Sequence, residues 1–186
     1  TVASRLPRYG VTAFCPTSVA CTPADLHTFL RAVAAARVVS MPGSARVLPA
    51  HLESNFINPA WNGAQPAHCL RSPASGAGHE PGTLAFSGDD IIRVIAASRE
   101  AVAIVTMAPE LDGGLDLVRQ FREAGHIVSI GHSGATYAEA RAAIAGGVTH
   151  ATHLFNRMTP LSHREPGVVG AVLEAPEVAA EVMRLK

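Results

Sequence analysis

Apolar, β-branched runs alternate with amphipathic segments along most of the chain, and this pattern predicts strands that alternate with helices. Prolines at positions 16 and 49 weaken the first two strands, because proline cannot donate a hydrogen bond to a sheet ladder. Each run ends in polar residues before the next amphipathic segment begins. The five predicted strands cover residues 11–18, 46–54, 102–110, 126–134 and 148–156.

Capping residues mark where the intervening helices begin. Thr136 and Glu139 have the spacing of a capping box, in which each side chain bonds the other residue's backbone N–H. The preceding helix is predicted to end at Gly125, because glycine readily adopts the left-handed conformation that terminates helices. The predicted helices begin near Thr22, Ser87, Leu115 and Thr136.

Strands that alternate with helices pair in parallel, so the fold class is α/β. The strand starts at 102, 126 and 148 are 24 and 22 residues apart, a repeat that suits a (β/α)8 TIM-like barrel. Such a barrel needs about 250 residues. We therefore expect residues 1–186 to form one incomplete barrel domain of about five βα units. The stretch 55–82, rich in Pro, Gly, Ala and Ser, is predicted to be a long ordered loop over a site.

Composition excludes several kinds of partner. Fifteen basic and fifteen acidic residues give no net charge, which disfavours binding to nucleic acid or to an anionic membrane surface. No apolar stretch reaches the length of a membrane span and the first residues lack a signal peptide, so we expect a cytoplasmic protein. The chain begins with Thr rather than Met, which indicates that this is not the native start. Three cysteines without a C-x-x-C pair predict free, mostly buried thiols.

In parallel α/β folds the functional residues lie at the carboxyl ends of the strands. Glu53, His132 and His153 together form a His2Glu set, which binds a catalytic divalent metal and leaves one coordination position for water. Such a metal lowers the pKa of the water and polarises a carbonyl, which points to metal-assisted hydrolysis. The residues predicted at the strand ends are Thr17, Glu53, Glu110, His132 and His153.

Other interpretations of these residues remain open at the level of sequence, since a chain with nine histidines places some of them at strand ends by chance. Glu53 is also suited to capping a helix or pairing with an arginine. His51 is expected to pack behind the site, and His150 faces the opposite way from His153 if both lie on one strand. Solvated or packing roles are expected for His27, His68, His79 and His126.

A second candidate chemistry uses the same region. Residues 131–135, Gly-His-Ser-Gly-Ala, resemble the nucleophile elbow of serine hydrolases, with Ser133 as the nucleophile. In that fold an acid and then a histidine follow the serine along the chain. No aspartate follows Ser133, and only glutamates such as Glu139 and Glu165 are available. This interpretation is therefore the weaker one.

Several segments together resemble one family, the N-acetylglucosamine-6-phosphate deacetylases of the amidohydrolase superfamily. The resemblance runs from about Tyr9 to Val182, and its last segment is highly specific. The segments are HLESNFINP (51–59), GAQP (63–66), MAPE (107–110), GHSGATYAEA (131–140) and ATHLFNRMTPLSHREPGVVGA (151–171).

The resemblance implies a metal-dependent hydrolase of amino-sugar catabolism that releases acetate and glucosamine 6-phosphate from a sugar-phosphate substrate. It maps the metal ligands onto Glu53, His132 and His153, with one divalent ion and zinc as the expected metal. It also implies a homodimer for the complete enzyme. The implied substrate contacts are Ala64, Gln65, Asn156, Arg157 and Arg164.

The chain departs from the family pattern at four of its residues. Gly and Pro are common in the family where this chain has Ser54 and Asn55. Gln65 stands where histidine is frequent, and a glutamine donates a hydrogen bond but takes no charge. Arg157 replaces the usual alanine, so its side chain either adds a phosphate contact or crowds the site.

The resemblance also implies absences. The family's general acid/base, an aspartate at the end of the eighth strand, would lie beyond Lys186, as would a substrate-binding histidine. The chain is therefore expected to be the central part of such an enzyme, without measurable turnover on its own. Two alternatives follow: a non-catalytic fragment that binds a metal or a sugar phosphate, and an amidohydrolase for a different N-acyl amino sugar.

Overall fold

A computed structural model describes residues 1–39, 41–74 and 84–183 of the chain. Six of its strands form one sheet in the order β2-β4-β5-β6-β7-β8, in which all neighbours are parallel, and β1 pairs with β3 beside it. The predicted α/β class is confirmed. The strands are β1 (Ala13–Phe14), β2 (Thr17–Ser18), β3 (Arg46–Val47), β4 (Ala50–Glu53), β5 (Val102–Met107), β6 (Ile127–Ile130), β7 (Val148–Ala151) and β8 (Ala179–Ala180).

The strands differ from the predicted runs in length, for reasons visible in the sequence. Pro16 separates β1 from β2 and Pro49 separates β3 from β4, so each of the first two predicted strands is divided into two short ones. The last three predicted strands end early, because their polar final residues belong to turns. A sixth strand of the main sheet, β8, was missed because two alanines carry no periodic pattern.

Six α-helices accompany the sheet in the described parts of the chain. Thr22, Ser87 and Thr136 cap α2, α3 and α5 as predicted, each accepting the backbone N–H three residues later. No helix within the described residues is both long and apolar enough to cross a membrane. The helices are α1 (Val2–Arg5), α2 (Pro23–Arg37), α3 (Gly88–Ala97), α4 (Gly114–Glu123), α5 (Tyr137–Gly146) and α6 (Gly167–Leu173).

Helix α6 was not predicted. It has seven residues, follows Pro166 without a side-chain cap, and its sequence GVVGAVL is apolar throughout. A helix that is buried on nearly every side shows no amphipathic period, so periodicity cannot detect it.

The predicted covering loop is ordered in its described part, residues 55–74, and its remaining residues 75–82, with His79, lie outside the described residues. Phe56 and Ile57 are fully buried and anchor the loop to the core. Two 3₁₀ turns, Pro59–Trp61 and Ala67–Cys69, shape the rest of it. This anchoring holds the loop close to the carboxyl edge of the sheet.

The core lies between the sheet and the apolar faces of the helices. Cys69 is buried, Cys15 and Cys21 are half-buried, and all three are free thiols as predicted. Because the core fills the space around the strands, the polar residues gather at and just beyond their carboxyl ends. Side chains that are almost completely buried include Leu52, Val105, Val128 and Val148 on the strands and Leu30, Ile91 and Val118 on the helices.

Leu30→Ala in α2 should lower the free energy of unfolding by about 2–5 kcal/mol, because it removes a buried side chain and leaves a cavity. Leu173→Ala at the exposed end of α6 is the control and should change it by less than about 0.5 kcal/mol. Urea unfolding of both variants, followed by circular dichroism, makes the comparison. If Leu30→Ala lowered the free energy of unfolding as little as the control does, Leu30 would not be part of the core.

Candidate metal centre

Three side chains from separate strands converge at the carboxyl edge of the sheet. Glu53 is the last residue of β4, while His132 and His153 each stand two residues beyond the ends of β6 and β7. The Nε2 atoms of the two histidines are 3.1 Å apart. Oε1 of Glu53 lies 3.3 Å from Nε2 of His153 and 3.8 Å from Nε2 of His132. The three residues predicted as metal ligands therefore lie within reach of one ion.

These separations suit a tetrahedral ion. Zinc ligands at 2.0–2.1 Å from the metal are about 3.3 Å from one another when the geometry is tetrahedral. One carboxylate and two neutral imidazoles form a donor set for divalent metals, and three protein ligands leave a fourth position for water or substrate. The residues present thus fit a catalytic ion in both chemistry and spacing.

The surroundings shift the pKa values of Glu53 and His153 in opposite directions. Hydrogen bonds from His132 and His153 hold the pKa of the Glu53 carboxyl well below its usual range, against an opposing effect of burial. Burial disfavours the charged form of His153, but the hydrogen bond and the negative charge of Glu53 raise its pKa above the ordinary value. A cation between these groups would take the place of the proton that they share.

The backbone is strained at this site. Among the described residues, positive φ occurs at only four that are not glycine: His132 (49°), His153 (34°), Phe155 (77°) and Arg157 (50°). All four lie in the turns after β6 and β7. Such conformations persist only where the surroundings enforce them, and they concentrate at functional sites.

The covering loop determines which nitrogen of His132 faces the centre. Nδ1 of His132 lies 2.9 Å from the carbonyl oxygen of Trp61, which can only accept, so Nδ1 carries the proton. Nε2 therefore faces the point where Glu53 and His153 converge, and in the neutral ring its lone pair is available to a metal ion. The backbone N–H of Asn58 also donates to the carbonyl of His132, at 3.0 Å.

Gln65 orients the Glu53 carboxylate. Its amide nitrogen donates to Oε2 of Glu53, and its carbonyl oxygen accepts the N–H of Ala20 at 2.8 Å. Gln65 is buried, whereas Ala64 beside it is exposed. Gln65 thus holds the Glu53 carboxylate in position, a role that the sequence did not suggest.

His153 is held by a residue that the sequence analysis missed. The backbone N–H of His153 donates to Oε2 of Glu181 at 3.2 Å. Nδ1 of His153 is buried and has no hydrogen-bond partner among the residues described. Glu181 follows the unpredicted strand β8, so no pattern in the sequence marked it.

Beneath the centre, six polar side chains form a closed ring of contacts. The contacts join His51 to Thr106 (2.6 Å), Thr106 to Thr152 (2.6 Å), Thr152 to Ser129 (2.6 Å) and Ser129 to His150 (2.9 Å). Glu181 closes the ring, with Oε1 at 3.4 Å from Nδ1 of His51 and 3.8 Å from Nε2 of His150.

The number of protons in this ring sets the histidine tautomers. Four contacts link the two imidazoles through three hydroxyl groups, so one neutral histidine must supply the fourth proton and only the other can donate to Glu181. Of the two rings, His51 lies nearer to Glu181. Burial lowers the pKa of both histidines, which favours their neutral forms. The packing role predicted for His51 and His150 is consistent with these contacts.

The other predicted substrate residues lie in the segment between β7 and α6. Asn156 donates its N–H to the carbonyl of His153 at 2.9 Å, and the carbonyl of Arg157 accepts the N–H of Ser133 at 3.1 Å. The Arg157 side chain lies against Gly63, where a β-carbon would be 3.0 Å from Nε. Arg164 is exposed and its Nε donates to the His163 ring.

The contacts of Ser133 argue against a serine nucleophile. Its hydroxyl is fully buried, donates to Oε2 of Glu110 at 2.8 Å and accepts the N–H of Ala135. No imidazole is among its hydrogen-bond partners in the described part of the chain. A nucleophilic serine of this kind needs an accessible oxygen beside an imidazole, and Ser133 has neither.

A parallel sheet with one carboxylate and two imidazoles beyond its strand ends is the arrangement of metal-dependent hydrolases with barrel folds. The chain is 40% identical over 169 residues to N-acetylglucosamine-6-phosphate deacetylase of Rattus norvegicus, and 37% identical over 171 residues to that of Homo sapiens. N-acetylgalactosamine-6-phosphate deacetylase of Escherichia coli O157:H7 is 33% identical over 166 residues.

Solved structures agree with these relatives. The crystal structure of N-acetyl-D-glucosamine-6-phosphate deacetylase from Mycobacterium smegmatis matches with a TM-score of 0.74 and 33% identity, over 92% of this chain and 40% of that one. A variant of that enzyme in complex with N-acetyl-D-glucosamine-6-phosphate matches with a TM-score of 0.72. No family model matches the chain.

The resemblance to N-acetylglucosamine-6-phosphate deacetylases is therefore confirmed, both in sequence and in fold. It extends over 91% of this chain, which spans 38% of the length of the Rattus norvegicus enzyme.

Thr152→Val should lower the free energy of unfolding by about 1–3 kcal/mol, because it deprives the buried hydroxyls of Thr106 and Ser129 of a partner while keeping the side-chain volume. Thr28→Val, at an exposed position of α2, is the control and should change it by less than about 0.5 kcal/mol. Chemical denaturation measures both. A neutral Thr152→Val would show that the ring contributes nothing to stability.

Proposed function

We propose that this chain forms part of a metal-dependent deacetylase that hydrolyses the N-acetyl amide of N-acetylglucosamine 6-phosphate to acetate and glucosamine 6-phosphate. The observation that carries the proposal is the convergence of Glu53, His132 and His153 on one point, in a chain whose relatives are these enzymes. Residues 1–186 would form a single, incomplete barrel domain around that point.

The three converging residues would hold one divalent ion, with zinc preferred for this donor set. When bound, such an ion supplies a polarised amide carbonyl and a water of lowered pKa. The chain's own residues set the geometry: Gln65 fixes the Glu53 carboxylate, and Trp61 fixes the tautomer of His132. The covering loop lies against the centre and limits the access of bulk water.

Substrate contacts are assigned to Ala64, Gln65, Asn156, Arg157 and Arg164. The Gln65 amide has a second N–H that would donate to a developing oxyanion. Arg157 and Arg164 present exposed guanidinium groups in the long turn after β7, and a guanidinium matches the geometry of a phosphate. These contacts would hold the sugar phosphate while the amide lies over the centre.

A second candidate substrate is N-acetylgalactosamine 6-phosphate, because one relative with 33% identity carries the name of the deacetylase for that sugar. The two sugars share the amide and the phosphate, so the metal centre serves both. Assaying them side by side separates the two candidates. Metal or sugar-phosphate binding without turnover stays an alternative for the 186 residues alone.

The central experiment measures acetate release from N-acetylglucosamine 6-phosphate, with and without a chelator. It compares the 186-residue chain with a chimaera in which these residues replace the matching 169-residue segment of the Rattus norvegicus enzyme. Chelator-sensitive release by the chimaera supports the proposal. A folded, metal-loaded chimaera that releases no acetate contradicts it.

We predict that the 186-residue chain binds one equivalent of Zn²⁺ and that His153→Ala loses most of the affinity, because it removes one of three ligands. Free metal at 100 times its dissociation constant should stabilise the wild-type chain by about 2.7 kcal/mol. His27→Ala, on the exposed side of α2, should bind as the wild type does. Calorimetric titration measures the affinity, and thermal unfolding with and without metal measures the stabilisation.

In the chimaera, Arg164→Ala should raise KM for the phosphorylated sugar roughly tenfold to hundredfold, which corresponds to losing a charge-assisted hydrogen bond. KM for unphosphorylated N-acetylglucosamine should not change. Arg119→Ala, whose guanidinium pairs with Asp116 on the surface of α4, is the control. An unchanged KM for the phosphorylated sugar would exclude Arg164 from phosphate recognition.

Two further expectations from the resemblance stay predictions. They are the homodimeric state of the complete enzyme and its cytoplasmic location.

A further inference from the structure

The carboxylate of Glu110 lies behind the turn that carries His132. Glu110 follows β5, the strand between β4 and β6 in the sheet. Its Oε1 accepts the side-chain amide of Asn58 at 3.0 Å and the backbone N–H of Gly134 at 2.6 Å, and its Oε2 accepts the hydroxyl of Ser133 at 2.8 Å. One side chain thus joins the covering loop to the two residues that follow His132.

The turn needs this support because its backbone is strained. His132 has a φ of 49°, a value that L-residues with a β-carbon seldom adopt. The strain persists only while neighbouring groups enforce it. Glu110 holds Ser133 and Gly134 on one side of His132, and Asn58, which Glu110 also holds, donates its N–H to the His132 carbonyl.

The packing around Gly134 shows how closely the two segments approach. A β-carbon at Gly134 would lie 2.7 Å from Nε1 of Trp61 and 3.2 Å from the side-chain amide of Asn58. The covering loop therefore rests directly on the turn, and Trp61 from the same loop accepts the Nδ1–H of His132. Any movement of the loop away from the turn would also release the His132 ring.

The carboxylate of Glu110 interacts with its surroundings through hydrogen bonds. Within the described residues, no cationic side chain forms an ion pair with it, and three donors surround its two oxygens. Hydrogen bonds to an ionised acceptor are about twice as strong as neutral ones. A carboxylate is therefore well suited to hold three donors in a turn that would otherwise relax.

We infer that Glu110 is a positioning residue, which holds the strained turn and the covering loop together so that His132 presents Nε2 to the metal. This inference rests on the proposed metal site and adds to it a residue that does not touch the ion. Outer partners that orient ligands in this way typically change metal affinity by about 10–100-fold when they are replaced.

The test measures the affinity of the 186-residue chain for Zn²⁺ by calorimetry and the visible absorption of the Co²⁺-loaded chain, which reports ligand geometry. Glu110→Ala should weaken Zn²⁺ binding by about 10–100-fold and alter the Co²⁺ spectrum. Glu110→Gln should lose clearly less affinity and alter the spectrum less than Glu110→Ala, because the amide oxygen still accepts from Asn58 and Gly134 and the Ser133 hydroxyl can accept from the new amide nitrogen.

Two further variants separate positioning from stability. Ser87→Ala removes the cap of α3 and should lower the melting temperature without changing Zn²⁺ affinity or the Co²⁺ spectrum. Ser133→Ala removes only one of the three donors, so it keeps the test available if Glu110→Ala does not fold. Its loss of affinity should be measurable but smaller than that of Glu110→Ala.

The outcomes distinguish this inference from the proposed function. If the wild-type chain binds neither Zn²⁺ nor Co²⁺, the metal site fails and the role of Glu110 fails with it. If the wild type binds but Glu110→Ala and Ser133→Ala bind equally well with unchanged spectra, only the role of Glu110 is wrong. Equal losses for Glu110→Gln and Glu110→Ala would also overturn it.

Discussion

The structure depends on bringing one carboxylate and two imidazole nitrogens within 4 Å of each other at the end of a parallel sheet. The strands alone do not achieve this, because both histidines lie beyond the strands, in turns with positive φ. Hydrogen bonds from outside the turns hold them in place. Trp61 fixes one ring, Glu181 fixes the backbone of the other, and Gln65 fixes the carboxylate. The cost of the strained turns is thus distributed over neighbouring segments of the chain.

A second group of polar side chains lies on the strands that lead to the centre. Three hydroxyl side chains and two neutral histidines satisfy one another around Glu181. Glu181 belongs both to this ring and to the support of His153. Glu181 therefore connects the ring directly to the backbone of His153.

Much of the fold and of the candidate site was predictable from the sequence, because capping residues, strand alternation and polar strand ends are local signals. The cap at Thr136 and the convergence of Glu53, His132 and His153 are such cases. The features that the sequence did not predict depend on contacts between residues that are distant in sequence. Gln65 meets Glu53 only after the covering loop folds back, and Glu181 follows a two-residue strand without periodicity. His153 was preferred over His150 because the two face opposite ways on a strand, yet β7 ends at Ala151 and the turn, not strand alternation, orients His153.

The two outer strands of the main sheet, β2 and β8, have only two residues each. A foreign polypeptide can add to a sheet only where unpaired N–H and C=O groups form a row long enough to register against. Here that row is almost absent on both sides, while the longest strand, β5, is enclosed by neighbours. Within the described residues, the two outer strands therefore offer little backbone to which a strand of another molecule could pair.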